Sequence, residues 1–158
     1  MNKSILLVLS LALAVACGKK EASAEDNYQP GGGEATTEAA DPASYDPKRG
    51  EGKYDTVELG ATLDQAMATK GEEVAGVKCT SCHKMTDEKL VGPGWKGVTE
   101  RRKPEWIMNF ITNPDPMIDK DPAVQSQYEL CLVRMPNQNL DETQARKVLE
   151  FMRENDSK

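Results

Sequence analysis

Five consecutive residues, Cys79-Thr80-Ser81-Cys82-His83, constrain this chain more than any other feature. They place two thiols about one helical turn apart, with an imidazole directly after the second. His83 is the only histidine of the chain, and the two remaining cysteines, Cys17 and Cys131, lie far away in sequence. A thioredoxin-like redox pair also uses Cys-x-x-Cys, but it needs strands alternating with helices. No stretch here shows the sustained period-two pattern of such strands. Zinc held by Cys79, Cys82, His83 and Cys131 has the right number of ligands, yet a His directly after a Cys is an awkward tetrahedral spacing.

The motif sits in a chain with little to bury. Hydrophobic residues make up 38% and aromatics 5%, against a usual apolar share of about 45–50%. Residues 56–158 carry the helical signals. Thr69-x-x-Glu72 has the form of a capping box opening a helix that runs into Cys79. Val74 and Val77 give that helix an apolar stripe, while Gly71 and Ala75 permit a close helix approach on a neighbouring face. Pro104 suits a first helical position, Trp106, Ile107, Phe110 and Ile111 share one face, and Asn113-Pro114 ends the run. Asp121-Pro122 starts another helix, with Val124, Tyr128 and Cys131 on one side. Leu140-Asp141-x-x-Gln144 caps a last helix whose face is Ala145, Val148, Leu149 and Met152. Cys131 reads as a small buried hydrophobe. The expectation is an all-α domain of four to five short helices with thin apolar stripes. A domain of about 100 residues needs a filled centre, so a bulky cofactor is expected to supply part of it.

The spacing of the motif names that cofactor. Two thiols one turn apart can add to the two vinyl groups on adjacent edges of a haem, and the next residue can swing its imidazole under the iron. Covalent bonds also keep the group from leaving an exported protein. With one His, a second imidazole ligand from this chain is impossible. Met85 is two residues from His83 and at about 3.5 Å per residue cannot get round the porphyrin. Met67, Met108 and Met152 lie in helical stretches as packing residues. Met135, followed by Pro136 in an irregular segment, is the favoured sixth ligand. Met117, in the expected Pro-rich loop Asn113-Pro114-Asp115-Pro116-Met117, is its rival, and an open site is the third possibility.

Beyond these residues, Thr62 to Glu154 resembles a class I monohaem cytochrome c of the small bacterial kind. The resemblance rests on Gly71 eight residues before Cys79, the Cys79-Cys82-His83 motif, Gly92-Pro93, the Asn113-Pro114 helix end, Met135-Pro136 and the final amphipathic helix. It implies the small cytochrome c fold, wrapped around one covalently attached haem c. It implies that the first and last helices cross, that the carbonyl of Pro93 accepts a hydrogen bond from His83, and that Trp95 lines the haem pocket. Ala75 departs from the pattern, standing where the family often has an aromatic. The expected function is one-electron transfer with His83 and Met135 on the iron, not catalysis. A small-ligand sensor or peroxidase-like enzyme is the alternative if Met135 does not ligate, and a zinc-binding module is a further one.

The N-terminus reads as an export signal. Ile5 to Ala16 is apolar, and Leu13-Ala14-Val15-Ala16-Cys17 resembles a bacterial lipobox, which implies a signal peptide at 1–16 and a lipidated Cys17. Residues 17–55, charged and rich in Pro and Gly, read as a disordered, lipid-anchored linker. The expected location is the bacterial cell envelope, facing the periplasm or the outer surface. The net charge of −6 argues against nucleic acid. Within the domain, Lys78–Lys103 holds seven basic and three acidic residues, and Asp115–Glu142 two basic and six acidic. Lys84, Lys89, Lys96, Arg101, Arg102 and Lys103 are candidates to steer a monomeric carrier toward an acidic patch on a redox partner. A terminal oxidase, a reductase and a quinol-oxidising complex all fit that description.

Overall fold

The computed structural model describes residues 45–158. The expected signal peptide, Cys17 and most of the expected linker lie outside the described residues. Among those described there are six helices and no strand: α1 (Gln65–Lys78), α2 (Val98–Arg101), α3 (Pro104–Thr112), α4 (Asp115–Lys120), α5 (Pro122–Cys131) and α6 (Glu142–Ser157).

The frame is the packing of α1 on α6. It rests on small residues. Ala68, Gly71 and Ala75 are the buried positions of α1, spaced three and four apart so that they form one face. A Cβ at Gly71 would run into the backbone carbonyl of Lys147 and lie 2.8 Å from the Cβ of Phe151. The backbones therefore approach more closely than any other residue allows. Gly71 and Ala75 thus make the close approach expected of them; of the valine stripe expected on the neighbouring face, Val74 is half-buried against the core and Val77 is 84% exposed. Nor does Thr69 open the helix. Asp64 caps α1, its carboxylate accepting from the Met67 amide, and Thr69 lies one turn inside with its hydroxyl donating to the Gln65 carbonyl. The earlier start carries Ala68 into the crossing.

The last helix begins as expected. Asp141 accepts from the Gln144 amide, and the Gln144 side chain accepts from the Asp141 amide. Ala145, Val148, Leu149 and Met152 are all buried. Glu150 is buried on the same helix, ion-paired to Arg146 at 2.6 Å and Arg153 at 2.7 Å.

Helix α3 starts at Pro104 and ends before Asn113-Pro114, with Trp106, Ile107, Met108 and Ile111 buried. The Pro-rich run after it is helical rather than a loop: Asp115 and Pro116 form the first turn of α4, where proline costs no hydrogen bond. Met117 there is fully buried, and Gly50 lies against its thioether. On α5, Val124 is buried, Tyr128 is 45% exposed and Cys131 is half-buried, so the expected apolar face is only partly used.

Residues 45–55, read by composition as the end of a linker, pack onto the domain. Tyr54 is buried, and its backbone amide and carbonyl both bond the side chain of Asn109 on α3. Tyr45 donates from its hydroxyl to Asp121, and Val57 from its amide to Glu105. The ordered part thus begins at least ten residues before the expected boundary at 55/56, because two tyrosines and a buried asparagine give this polar segment fixed partners.

Candidate haem-attachment site

The motif continues the last turn of α1. The Cys79 amide bonds the Ala75 carbonyl at 2.8 Å, and the amides of Cys82 and His83 bond the Cys79 carbonyl at 3.0 and 2.9 Å. This tight winding brings all three functional side chains onto one turn. The chain then loops out and returns, with the amides of Val91 and Gly92 bonding the Cys82 carbonyl at 3.2 and 2.8 Å and the Trp95 amide bonding the Lys84 carbonyl at 3.0 Å.

That return fixes the imidazole. His83 Nδ1 lies 2.8 Å from the Pro93 carbonyl oxygen. A carbonyl only accepts, so Nδ1 carries the proton and Nε2 is left with a free lone pair. The Trp95 ring lies 5.8 Å from the His83 ring, centre to centre, and packs edge-on to Phe151 of α6 at 6.4 Å. Gly92 faces His83 so closely that a Cβ there would come 2.5 Å from Cε1. Burial holds the His83 pKa below its ordinary value, against the opposing pull of the Pro93 hydrogen bond. The neutral ring this favours is the form that binds metals.

Cys79 is buried, Cys82 half-buried, and both thiols are free. Burial pushes the Cys79 thiol up to about 11, so without a bound group it is protonated at neutral pH. Among the described residues, no three Cys, His, Asp or Glu side chains converge as a metal ion would need. The four-ligand zinc arrangement through Cys131 is therefore not assembled.

Met135 lies in the irregular segment between α5 and α6, half-buried against the main core. Its rival Met117 is enclosed between α4, Gly50 and Trp106, and Met108 and Met152 are core residues as expected. Large apolar side chains stay exposed on both approaches: Leu90 and Val91 after the motif, and Leu130, Leu132 and Val133 before Met135. The Lys89 ammonium joins these segments by donating to the Leu130 carbonyl at 2.8 Å. Free paired thiols, an oriented neutral imidazole and flanking apolar side chains are the donor set and surroundings that a haem requires.

Two contributions were missed in the sequence. One is the close fit of Gly92 to His83, which a residue without a side chain does not advertise. The other is the pairing of Arg134 with Asp115 and Asp119, for which the four-residue spacing of the two acids was the available sign.

An all-α domain whose first helix ends in two free thiols and an oriented imidazole is, as a class, a haem-attachment domain. The family described as "Cytochrome c" matches residues 68–156. The chain belongs to the cytochrome c family, whose cofactor is covalently bound haem c and whose members are generally electron carriers. Among solved structures it is similar to a cytochrome c from Rhodothermus marinus, with 35% identity and a TM-score of 0.66 over 74% of this chain and 98% of that one. An engineered form of that cytochrome, Rma TDE, gives 34% identity and a TM-score of 0.66 over 75% and 100%. The same engineered protein bound to a carbene intermediate gives 35% and 0.64 over 75% and 100%. No curated protein sequence matches the chain.

Proposed function

We propose that this protein is a one-electron carrier in which Cys79 and Cys82 hold haem c, and His83 and Met135 are the axial ligands of its iron. When bound, haem c supplies a one-electron iron couple, and His/Met ligation raises its potential. The protein's residues do the rest. The Pro93 carbonyl keeps the proton on Nδ1 of His83 and restrains the ring, so Nε2 would be the atom that holds the iron. Trp95 and Phe151 shield that side from water. The observation that carries this reading is the 2.8 Å contact from His83 to Pro93, which keeps the proton on Nδ1 and leaves the Nε2 lone pair free to serve as a metal ligand.

The N-terminal features support a carrier tethered through a lipidated Cys17 in the cell envelope, meeting redox partners through an acidic docking patch on their side. The basic cluster proposed to steer it is largely engaged within the domain. Lys84 pairs with Glu88 at 2.7 Å, Lys96 donates to the Asn155 and Asp156 carbonyls, and Arg102 stacks over Trp106. Engaged cations still contribute their field. Transfer should therefore slow with added salt and with Lys84→Glu, whereas Lys96→Glu would also disturb the end of α6.

The deciding experiment is a visible spectrum with redox titration on protein matured in a host that attaches haem. The oxidised form should show the weak far-red band of sulfur-ligated ferric haem, and the reduced form should not take up carbon monoxide readily. Ready binding of carbon monoxide would instead favour a small-ligand sensor or peroxidase-like enzyme.

A further inference from the structure

The segment between α5 and α6 is held at two points by basic side chains. Arg134, the residue before Met135, reaches across to α4. Its Nε donates to Asp115 Oδ1 at 3.0 Å, its Nη1 to Asp119 Oδ1 at 3.0 Å, and its Nη2 to Asp119 Oδ2 at 3.3 Å. Nη2 also lies 3.4 Å from the Asp115 backbone carbonyl. On the far side, Lys78 donates from its ammonium to the Gln138 carbonyl at 2.8 Å. Lys78 is the last residue of α1, immediately before Cys79. Within residues 135–139 the remaining hydrogen bonds, Gln138 to the Pro136 carbonyl and the Asn139 amide to Asn137, are local.

A single exposed ion pair is a weak restraint. This one differs in two respects. The planar guanidinium engages two carboxylates one helical turn apart, forking onto Asp119, a geometry that lysine cannot reproduce. Its anchor is also fixed, since α4 is pinned by the buried Met117 and Ile118. Only Met135, Pro136 and Asn137 lie between the two tethers.

We infer that Arg134 is a positioning residue for Met135: its fork onto Asp115 and Asp119, opposed by Lys78 on Gln138, limits how often the thioether leaves the iron. This rests on the ligation proposed above. Arg134 touches neither iron nor partner; it acts through the loop.

The test measures entry of imidazole, a neutral probe, at the ferric iron of the haem-loaded protein, since entry requires the thioether to leave. Arg134→Gln should speed entry roughly fivefold, with faster amide exchange over residues 132–139 and an unchanged global unfolding midpoint. Asp119→Asn should act in the same direction, and adding it to Arg134→Gln should change little more, as expected for one shared interaction. Arg134→Lys should restore only part of the slow entry. Unchanged imidazole entry in both single variants, in a protein whose wild type shows the sulfur-ligation band, overturns the positioning role and leaves the ligation standing. Absence of that band in the wild type overturns both, and is seen before any variant is made.

Discussion

The imidazole of His83 is held from three directions. Pro93 takes the Nδ1 proton, Trp95 lies against the ring, and Gly92 closes the remaining approach. The third is the most sensitive to substitution. In Gly92→Ala the new methyl would stand 2.5 Å from Cε1, 2.9 Å from Nδ1 and 3.0 Å from Nε2, so either the ring or the backbone must move. Overpacking of this kind costs about 1–3 kcal/mol. The haem-loaded variant should unfold at lower denaturant and show a shifted reduction potential, because the proximal hydrogen bond and the ring tilt are strained together. Unchanged values for both would mean that the loop yields freely. At this scale the motif was the most legible part of the chain. The proposed addition of two thiols and ligation by the next residue would pick out Cys79, Cys82 and His83 by chemistry alone, whatever surrounds them. Pro93 followed from the family resemblance. Gly92 was named only as part of the Gly92-Pro93 pair, without its fit against His83, and Arg134 did not stand out, because only the folded chain brings them to their partners.

Between elements, the crossing of α1 on α6 depends on what α1 lacks. Gly71 and Gly76 stand in the same helix with opposite surroundings. A Cβ at Gly71 meets the Lys147 carbonyl, which is backbone and cannot swing away, whereas a Cβ at Gly76 meets nothing within 4 Å. Gly71→Ala should therefore destabilise by about 2–3 kcal/mol, and Gly76→Ala should stabilise by roughly 0.5–1 kcal/mol through helix propensity and a restricted unfolded chain. Denaturant unfolding of the two variants beside the wild type checks both signs. If both proved neutral, the α1–α6 approach would be looser than drawn. The same contrast explains what sequence reading found in this helix and what it mistook. Gly71 and Ala75 were read as a face for close approach, and with Ala68 they do face the partner because a crossing this close selects for small volume; of the apolar stripe expected beside it, Val74 packs partly on the core and Val77 faces water. The Thr69-x-x-Glu72 pattern satisfied a local rule. Packing of Ala68 demanded an earlier start, and Asp64 was available to cap it. Dense prolines likewise suggested a loop at Met117, yet prolines in a first turn are compatible with the short helix that buries it.

For the whole domain, the decisive connection runs between the N-terminal segment and the α4–α5 corner. Asp121 is 1% exposed and accepts four hydrogen bonds: from the Tyr45 hydroxyl at 2.5 Å, the Trp106 indole at 2.8 Å, and the amides of Ala123 and Val124 at 2.8 and 3.1 Å. One carboxylate thus caps α5, holds α3 through Trp106 and anchors residues that composition assigned to a linker. Mean composition hid this because the segment is polar throughout. Tyr45 and Tyr54, two of the four tyrosines, were the available clue. Burial alone would raise the Asp121 pKa, but the donors from Tyr45, Trp106, Val124 and Ala123 outweigh it and hold the carboxyl below its ordinary range. The unfolded chain, with a value near 3.9, then binds the proton more readily than the native state. The stabilisation from this group is therefore fully present above about pH 4 and is lost as pH falls through the lowered native value. Asp121→Asn should cost about 1–3 kcal/mol at neutral pH, since the amide turns donor groups toward donors, and should flatten the acid limb of the stability curve. A chain beginning at residue 56 keeps Asp121 but loses Tyr45, Tyr54 and the covering of Met117 by Gly50. It should be less stable than one beginning before Tyr45, at neutral pH and not only in acid, because it loses apolar packing that does not titrate. Equal unfolding midpoints for the two lengths would show that residues 45–55 rest on the domain without supporting it, and the boundary read from composition would then be the thermodynamic one.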